Sequence, residues 1–557
     1  MDLTLSTPAL NNDSQDNDLN KPEQVQAWLQ HLPLININET SHQLHKALMA
    51  ANRTLMKEEW RLQNLEAFRE FVHLVTEKLE QKYNNKPLPL SEEDGMTAEL
   101  VRHFQIEMAN GYKKYINDVY SRYKPKLTGR HAAALVVPIH RAIRYLTGTL
   151  LQSYQFYTLC PVGTWHEIHQ LFKLADNHQL INIEIDDPLN TCIPKSTIAH
   201  VYKQALLLDL GDPYHMSAGM IRNTGIYLDR WASQSKIKKA DPEFRESCQF
   251  LINASVDRGG EVLTEASCPE GDARNCYLFT TIELARTIHG QLSAFKDGDK
   301  PNPDGLSENF YNQNTRQLLL RLMNSWGVNP KRIFPRTSQD GKTVELTFGL
   351  KSICFYTNHS HKFITSAELM GPNKHRTRIG TLYAKTESFE EPNPGPAGIF
   401  DEADSQHHTT WNLIDESAGG LALGSTELAH VKVRVGDLAG IQEDSNNLWG
   451  LAIVRWVKCL SANRMEIGIQ RLAPRAKPVA IKVLSPDNEE SEFMPGILVP
   501  ELPALKQDES LITPRGIFKP GRIIYMDDGN MLYRIKSTEL AELTGAFERF
   551  HYGKIDI

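Results

Sequence analysis

The sequence predicts a multidomain α+β protein, with a helical N-terminal part followed by antiparallel β structure. In the first part, Leu65, Phe68, Val72, Val75 and Leu79 recur every three or four positions, as on one face of a helix. After about residue 330, apolar and polar residues alternate instead, as in half-buried strands. With 557 residues, the chain is also too long for a single hydrophobic core.

The helical domain is predicted to cover residues 21–330. Residues 1–20 precede it, are rich in Asn, Asp and Ser, and have no periodic apolar face, so we expect a disordered tail. The last helix should end near Trp326, because Gly327 and Pro330 are typical of a helix C-terminus. Further helices are predicted near residues 98–123, 131–154, 163–177, 198–209 and 277–295, with a short β-like stretch at 249–256.

Composition and charge restrict the possible partners. The chain has 41% hydrophobic and 23% charged residues and a formal net charge of −7, which is typical of a globular protein and argues against DNA or RNA binding. The best apolar run, residues 132–137, is too short to span a bilayer. Seven cysteines without a C-x-x-C pair are expected to be reduced thiols. We therefore predict a cytoplasmic protein without membrane insertion.

The sequence offers no catalytic motif. His166 and His169 are three residues apart, whereas the zinc motif H-E-x-x-H needs a spacing of four, and no third ligand is evident. A Gly-rich phosphate loop, a nucleophile elbow and a defined carboxylate pair are also missing from the sequence. We predict that the protein is not an enzyme and has no cofactor or metal.

The region after residue 330 is predicted to form a small closed β-barrel. Val344, Leu346 and Phe348 alternate with polar residues, and the pattern changes phase before Ile353 and Phe355, as in a bulged strand. Further strands are expected at 411–423, 431–435, 448–459 and 465–469. Short strands separated by turns favour an antiparallel barrel.

Two motifs lie on this predicted barrel. Arg332 and Arg336 are four residues apart, directly before the first strand, and Asp415, Ser417 and Gly420 form D-x-S-x-x-G on the second. Asp415 and Ser417 can point to the same face of a strand, while Gly420 suits a tight turn. In this order, R-x-x-x-R and D-x-S-x-x-G resemble the PilZ family over about residues 331–475. PilZ domains are bacterial receptors for cyclic di-GMP.

The resemblance implies a ligand and a role for each motif residue. Arg332 and Arg336 would clamp guanine and phosphate, Asp415 and Ser417 would hydrogen-bond the guanine edge, and Gly420 would shape the turn. This fits the chemistry of guanine, whose O6 and N7 accept a guanidinium fork and whose face stacks on the same planar cation. The chain departs from the family in a long insertion at about residues 357–408, which suggests a lid, a partner contact or a loop.

A smaller β-rich unit is predicted for residues 476–557. Strands are expected at 478–483, 495–500, 511–514, 521–525 and 531–535, with a short helix at 537–544. Arg471 and Arg475 repeat the R-x-x-x-R spacing, and we interpret them as the lead-in to this unit.

Two functional hypotheses remain open from the sequence. The first is a cyclic di-GMP effector that couples nucleotide binding at the PilZ-like barrel to the helical domain or to a protein partner. The alternative is an interaction or scaffold protein whose degenerate PilZ barrel does not bind nucleotide. Titration with cyclic di-GMP separates the two.

Overall fold

The chain folds into two compact units, a helical unit that ends at Lys331 and a β unit that begins at Arg332. The computed structural model describes residues 3–11, 20–84, 86, 90–124, 127–190, 192–240, 248–264, 273–296, 310, 313–327, 337–338, 341–361, 363–366, 407–427, 431–443, 448–461, 464–483, 492–501 and 507–555.

The described part of the helical unit contains eleven α-helices. They are α1 (Pro22–Gln30), α2 (Ile37–Arg53), α3 (Glu58–Tyr83), α4 (Glu92–Tyr123), α5 (Gly129–Ala133), α6 (Val136–Gln155), α7 (Thr164–Asn177), α8 (Ile198–Leu210), α9 (Ala218–Trp231), α10 (Ile282–Lys296) and α11 (Gln313–Trp326). The stripe predicted from the three-and-four spacing is buried along α3, which confirms that it faces the core.

The helical unit also contains small antiparallel sheets. Strands β1 (Ile185–Asp186) and β2 (Lys195–Ser196) pair with each other. Strands β3 (Lys236–Lys239), β4 (Phe250–Asn253), β5 (Glu261–Val262) and β6 (Cys276–Thr280) form a sheet in the order β3-β6-β4-β5. The helix predicted to start at residue 277 is therefore wrong at its beginning, because β6 is buried along its whole length. A short, fully buried apolar run does not distinguish strand from helix.

Part of the expected N-terminal tail is ordered on the helical unit. Leu5 is only 7% exposed, and Thr4 and Ser6 hydrogen-bond to side chains of α7. The prediction of a disordered tail is thus wrong for residues 3–11, while residues 12–19 lie outside the described residues. The contacts come from residues more than a hundred positions away, which local composition does not report.

The β unit begins with a closed six-stranded antiparallel barrel. Its elements are β7 (Thr337–Ser338), β8 (Thr343–Phe348), α12 (Leu350–Thr357), β9 (Thr409–Ser417), β10 (Gly420–Ser425), β11 (Leu438–Gln442), β12 (Gly450–Ser461) and β13 (Arg464–Ala473). The ring runs β8-β9-β10-β13-β12-β11 and closes where β11 pairs with β8. Strand β7 pairs with the end of β9 beyond β8.

Two strand predictions in this barrel are wrong. The expected bulged strand stops at Phe348, and after Gly349, whose φ is +88°, the chain continues as helix α12. The strand expected at 431–435 forms instead at Leu438–Gln442, although Val431 and Val433 are buried. Of the predicted insertion at 357–408, residues 362 and 367–406 lie outside the described residues.

A second closed antiparallel barrel follows. Its strands are β14 (Lys477–Val483), β15 (Met494–Val499), β16 (Ser510–Thr513), β17 (Ile523–Asp527), β18 (Leu532–Leu543) and β19 (Glu548–Lys554), in the order β14-β15-β16-β19-β18-β17. The short helix predicted at 537–544 is wrong, because β18 continues through this stretch and pairs with β19. The α+β class, with a helical part and antiparallel barrels, is confirmed.

The two barrels share a core. Ile353 and Cys354 of α12 belong to one buried cluster with Leu451 of the first barrel and Ile497 and Ile512 of the second. The helix that replaces the predicted strand thus joins the two barrels. Hydrophobic contact across this junction explains why they form a single compact unit.

Candidate functional site

The D-x-S-x-x-G motif lies on the hairpin between β9 and β10. Ser417 pairs with Gly420, and Asp415 pairs with Ala422. The two residues between the strands, Ala418 and Gly419, form the turn. Asp415 and Ser417 are two positions apart on β9, so their side chains leave the same face of the strand.

Gly420 is required for a close approach of two strands. Its φ is not positive, so the tight turn expected from the sequence does not explain it. A Cβ at this position would lie 2.1 Å from the carbonyl oxygen of Ile469 on β13. Glycine therefore allows β10 to pair with β13 at the motif, and the structural role of Gly420 differs from the predicted one.

The Ser417 side chain closes the hairpin. Its hydroxyl donates a hydrogen bond to the carbonyl oxygen of Gly420 at 3.2 Å. Asp415 is half-buried beside it. The hairpin thus presents a carboxylate and a hydroxyl whose lone pairs suit donor groups on a ligand.

The chain directly after the R-x-x-x-R motif pairs with this hairpin. Arg332 and Arg336 lie outside the described residues. Thr337, the next residue after Arg336, pairs with Glu416, and Ser338 pairs with Asp415. The chain that continues from the second motif arginine therefore joins the strand that carries Asp415 and Ser417.

A third arginine, Arg471 of β13, contacts the hairpin directly. Its backbone N–H donates to the carbonyl oxygen of Gly419 at 3.1 Å. Its Nη1 donates to the carbonyl oxygen of Ser417 at 2.9 Å, and its Nη2 donates to Glu416 Oε1 at 2.7 Å. The same guanidinium binds the carboxylate of Glu443 through Nε, at 2.8 Å, and through Nη2.

The position of Arg471 shows that the interpretation of the second R-x-x-x-R spacing, Arg471 to Arg475, was wrong. The sequence suggested that it leads into the second barrel, whereas it lies inside β13 at the motif hairpin. Hydrogen bonds to Glu443 and Glu416 raise the pKa of Arg471 above its ordinary value, so the guanidinium stays charged. The signal that reveals this residue is the strand register, which places β13 beside β10.

The described part of the hairpin surface carries more negative than positive charge. Asp415, Glu416 and Glu443 contribute three carboxylates, and Arg471 is bound to two of them. A dianionic ligand would be repelled by this surface unless further cations joined it. Two more guanidinium groups would supply that charge.

The hairpin is also linked to the second barrel. Gln470 pairs with Gly420 across the strands and accepts a hydrogen bond from Arg455 Nε at 2.7 Å. Arg455 Nη1 in turn donates to Glu542 of β18 at 2.8 Å. A polar connection therefore runs from the motif strand to the neighbouring barrel.

The described residues show no arrangement of three or more His, Cys, Asp or Glu side chains that suits a metal ion. His169, considered as a ligand from its spacing, is a core histidine that contacts the Tyr202 hydroxyl and the Arg258 carbonyl oxygen. Burial lowers the pKa of His169 to about 4, so its ring is neutral near pH 7. Within the described ranges, no helix is long and apolar enough to cross a bilayer.

Family models match most of the chain. The model for "Cyclic-di-GMP receptor FimW, N-terminal domain" matches residues 23–242, that for the "middle PilZ domain" matches 381–478, and that for the "FimW C-terminal beta-barrel domain" matches 479–555. The middle match contains Asp415, Ser417, Gly420 and Arg471 but begins after Arg336.

A curated relative matches over nearly the full length. It is the cyclic-di-GMP receptor FimW of Pseudomonas aeruginosa strain PAO1, which is 25% identical over 564 aligned positions, 95% of this chain and 90% of the relative. No solved structure matches. The motif hairpin and the closed barrel around it agree with the matched domain models, so the chain is similar to cyclic-di-GMP receptors of the FimW kind in three parts: a helical N-terminal domain, a middle PilZ domain and a C-terminal β-barrel.

Proposed function

We propose that this protein is a cytoplasmic cyclic di-GMP effector that binds the nucleotide at the β9–β10 hairpin of the PilZ barrel. The observation that carries the proposal is the pairing of Thr337 with Glu416. It brings the chain that follows R-x-x-x-R onto the strand that holds D-x-S-x-x-G. The printed name of the relative, a cyclic-di-GMP receptor, supports the same ligand.

The proposed roles follow from the chemistry of the ligand. The guanidinium groups of Arg332 and Arg336 stack on guanine and bind its O6 and N7 or a phosphate. Asp415 accepts hydrogen bonds from guanine N–H groups, and Ser417 adds a hydroxyl on the same face. Gly420 permits the close strand approach that holds both residues in place.

Binding at this site involves no reaction in our proposal. The ligand instead changes how the PilZ barrel acts on the helical unit or on a protein partner, without nucleic acid or membrane insertion.

Isothermal titration of the full chain with cyclic di-GMP tests the proposal. We expect saturable binding, and we expect Arg332→Ala and Arg336→Ala each to weaken it roughly tenfold or more, because a bidentate guanine contact contributes about 1–3 kcal/mol. Arg515→Ala, an exposed arginine of the second barrel, is the matched control and should leave the affinity unchanged. If the folded chain gives no binding heat with cyclic di-GMP, the scaffold function with a degenerate barrel replaces this proposal.

A further inference from the structure

The N-terminal arm, residues 3–11, lies along the helical unit without forming a helix or strand of its own. Its Leu5 side chain is buried, with 7% exposure. The contacts of Thr4, Leu5 and Ser6 are to side chains of α4 and α7. These two helices thus provide a groove for an extended peptide.

Side-chain amides of the groove bind the backbone of the arm. Gln170 Oε1 accepts from the Thr4 N–H at 2.8 Å, and Gln170 Nε2 donates to the Thr4 carbonyl oxygen at 3.3 Å. Asn117 Nδ2 donates to the Leu5 carbonyl oxygen at 3.1 Å. Gln170 Nε2 also donates to the Thr4 hydroxyl at 3.0 Å. The bonds to main-chain atoms hold an extended backbone, as strand addition does.

A buried ion pair supplies the specific contact. Glu167 Oε2 accepts from Lys113 Nζ at 2.7 Å, and both side chains are nearly inaccessible, at 9% and 4% exposure. Glu167 Oε1 accepts from the Ser6 N–H at 2.7 Å and from the Ser6 hydroxyl at 2.6 Å. Glu167 Oε1 therefore faces the arm, and a residue with a hydroxyl can donate two hydrogen bonds to it, one from the backbone N–H and one from the side chain.

We propose that the groove between α4 and α7 is a peptide-binding site whose ligand is the protein's own N-terminal arm, held as a detachable segment. The site selects an extended chain with a buried apolar residue followed by serine or threonine. This function lies in the helical unit and does not depend on nucleotide binding at the barrel.

Detachment follows from how the arm is attached. Each of its bonds to Asn117, Glu167 and Gln170 joins residues more than a hundred positions apart, and the arm extends no strand or helix of the unit. Ordering an extended segment costs backbone entropy, which the side-chain contacts of the groove must offset. Release of the arm would uncover the Glu167 carboxylate and the Gln170 amide for another extended segment.

A labelled peptide with the sequence of residues 2–12 tests the site by fluorescence anisotropy. The full chain carrying Leu5→Asp should release its arm, because the substitution places a carboxylate at a buried apolar position. We expect the peptide to bind this chain at least tenfold more tightly than the wild-type chain, in which the arm competes at a high effective concentration. The same peptide carrying Leu5→Asp should not bind.

A variant of the groove tests whether the peptide binds at the site that the arm occupies. Gln170→Ala, introduced into the Leu5→Asp chain, should weaken peptide binding at least tenfold, whereas Gln26→Ala, at an exposed position of α1, should not. The proposal is overturned if the folded Leu5→Asp chain does not bind the peptide, or if it binds no better than the wild type.

If the Leu5→Asp chain does not fold, hydrogen exchange on the wild-type chain tests whether the arm is detachable. A detachable arm requires the Thr4 and Ser6 amides to exchange at least tenfold faster than amides in the middle of α7. Equal protection in the arm and in α7 would show that the arm is an integral part of the fold.

Discussion

At the scale of single residues, the charge of the PilZ barrel surface depends on which groups the Arg471 guanidinium binds. Its guanidinium binds Glu416, Glu443 and the Ser417 carbonyl oxygen at once. The ion pairs are partly exposed, with Arg471 27% and Glu443 37% accessible, so each contributes little to stability. An anionic ligand at the hairpin can therefore compete with the glutamates for this cation.

Arg471→Ala should weaken cyclic di-GMP binding about threefold to tenfold, because Glu416 and Glu443 would then face the ligand without a neutralising cation. The melting temperature should change little, since exposed ion pairs contribute about 0–1 kcal/mol. Calorimetry and thermal denaturation of the same samples measure both effects, with Arg515→Ala as the control. An unchanged affinity would show that Arg471 serves only the hairpin.

Gly420→Ala should destabilise the β unit by about 1–3 kcal/mol, because overpacking against a fixed backbone forces the strands apart. The added Cβ would lie 2.1 Å from the Ile469 carbonyl oxygen. Gly545→Ala is the matched control, since a Cβ at Gly545 meets nothing within 4 Å. Thermal denaturation should show a lower melting temperature for the first variant alone.

Asp415→Ala should act on the ligand and leave the fold intact, because its proposed role is to accept guanine N–H groups. We expect a loss of affinity of roughly tenfold with a melting temperature close to that of the wild type. If Asp415→Ala instead lowers the melting temperature as much as Gly420→Ala while the ligand still binds, Asp415 is a structural residue of the hairpin.

At the scale of elements, the segment before β11 contains a partly buried acid, Asp437. Asp437 Oδ2 accepts the backbone N–H of Arg434 at 2.7 Å, and Gly436 between them has φ +94°. Burial raises the pKa of Asp437 to about 6. Because the folded state holds this proton more tightly than the unfolded state, ionisation of Asp437 costs stability as the pH rises through 6.

The contribution of Asp437 should therefore make the β unit more stable at pH 5 than at pH 7. Each unit of pKa difference corresponds to about 1.4 kcal/mol, so a shift in the melting temperature of a few degrees is expected. Asp437→Asn, which keeps an oxygen acceptor, should remove that part of the pH dependence, while Asp508→Asn at an exposed position should not. Identical pH profiles for wild type and Asp437→Asn would contradict the argument.

At the scale of the whole molecule, the proposed ligand acts where the two units are joined in the chain. The helical unit ends at Lys331 and the β unit begins at Arg332, which is itself a proposed ligand residue. A nucleotide held by Arg332 and Arg336 must order this part of the chain, at about 1–2 kcal/mol per residue fixed. Binding can in this way favour one arrangement of the units over others.

Hydrogen exchange with and without cyclic di-GMP should therefore show slower exchange at about residues 328–337 and altered exchange in the helical unit. The Arg336→Ala variant, titrated at the same nucleotide concentration, is the control and should show neither change. Protection confined to the PilZ barrel would mean that the nucleotide binds without transmitting a signal, and the helical unit would then work independently.

Local patterns in the sequence were sufficient to predict that the first half of the chain is helical and the second half is β structure. The apolar stripe of α3 and the alternation in β8 depend only on the geometry of helix and strand, so they were readable without tertiary contacts. The D-x-S-x-x-G motif was also readable, because Asp415, Ser417 and Gly420 lie within six consecutive residues of one hairpin.

Features that depend on distant residues could be seen only in the folded chain. Helix α12 stands where a strand was expected because its apolar side is buried in the core shared by both barrels. The arm is ordered by Glu167 and Gln170 of α7, and Arg471 reaches the motif through the pairing of β13 with β10. By itself the sequence determined periodicity and motif order, since these are local; burial and strand register arise from contacts between distant segments, and they place Arg471 beside the motif.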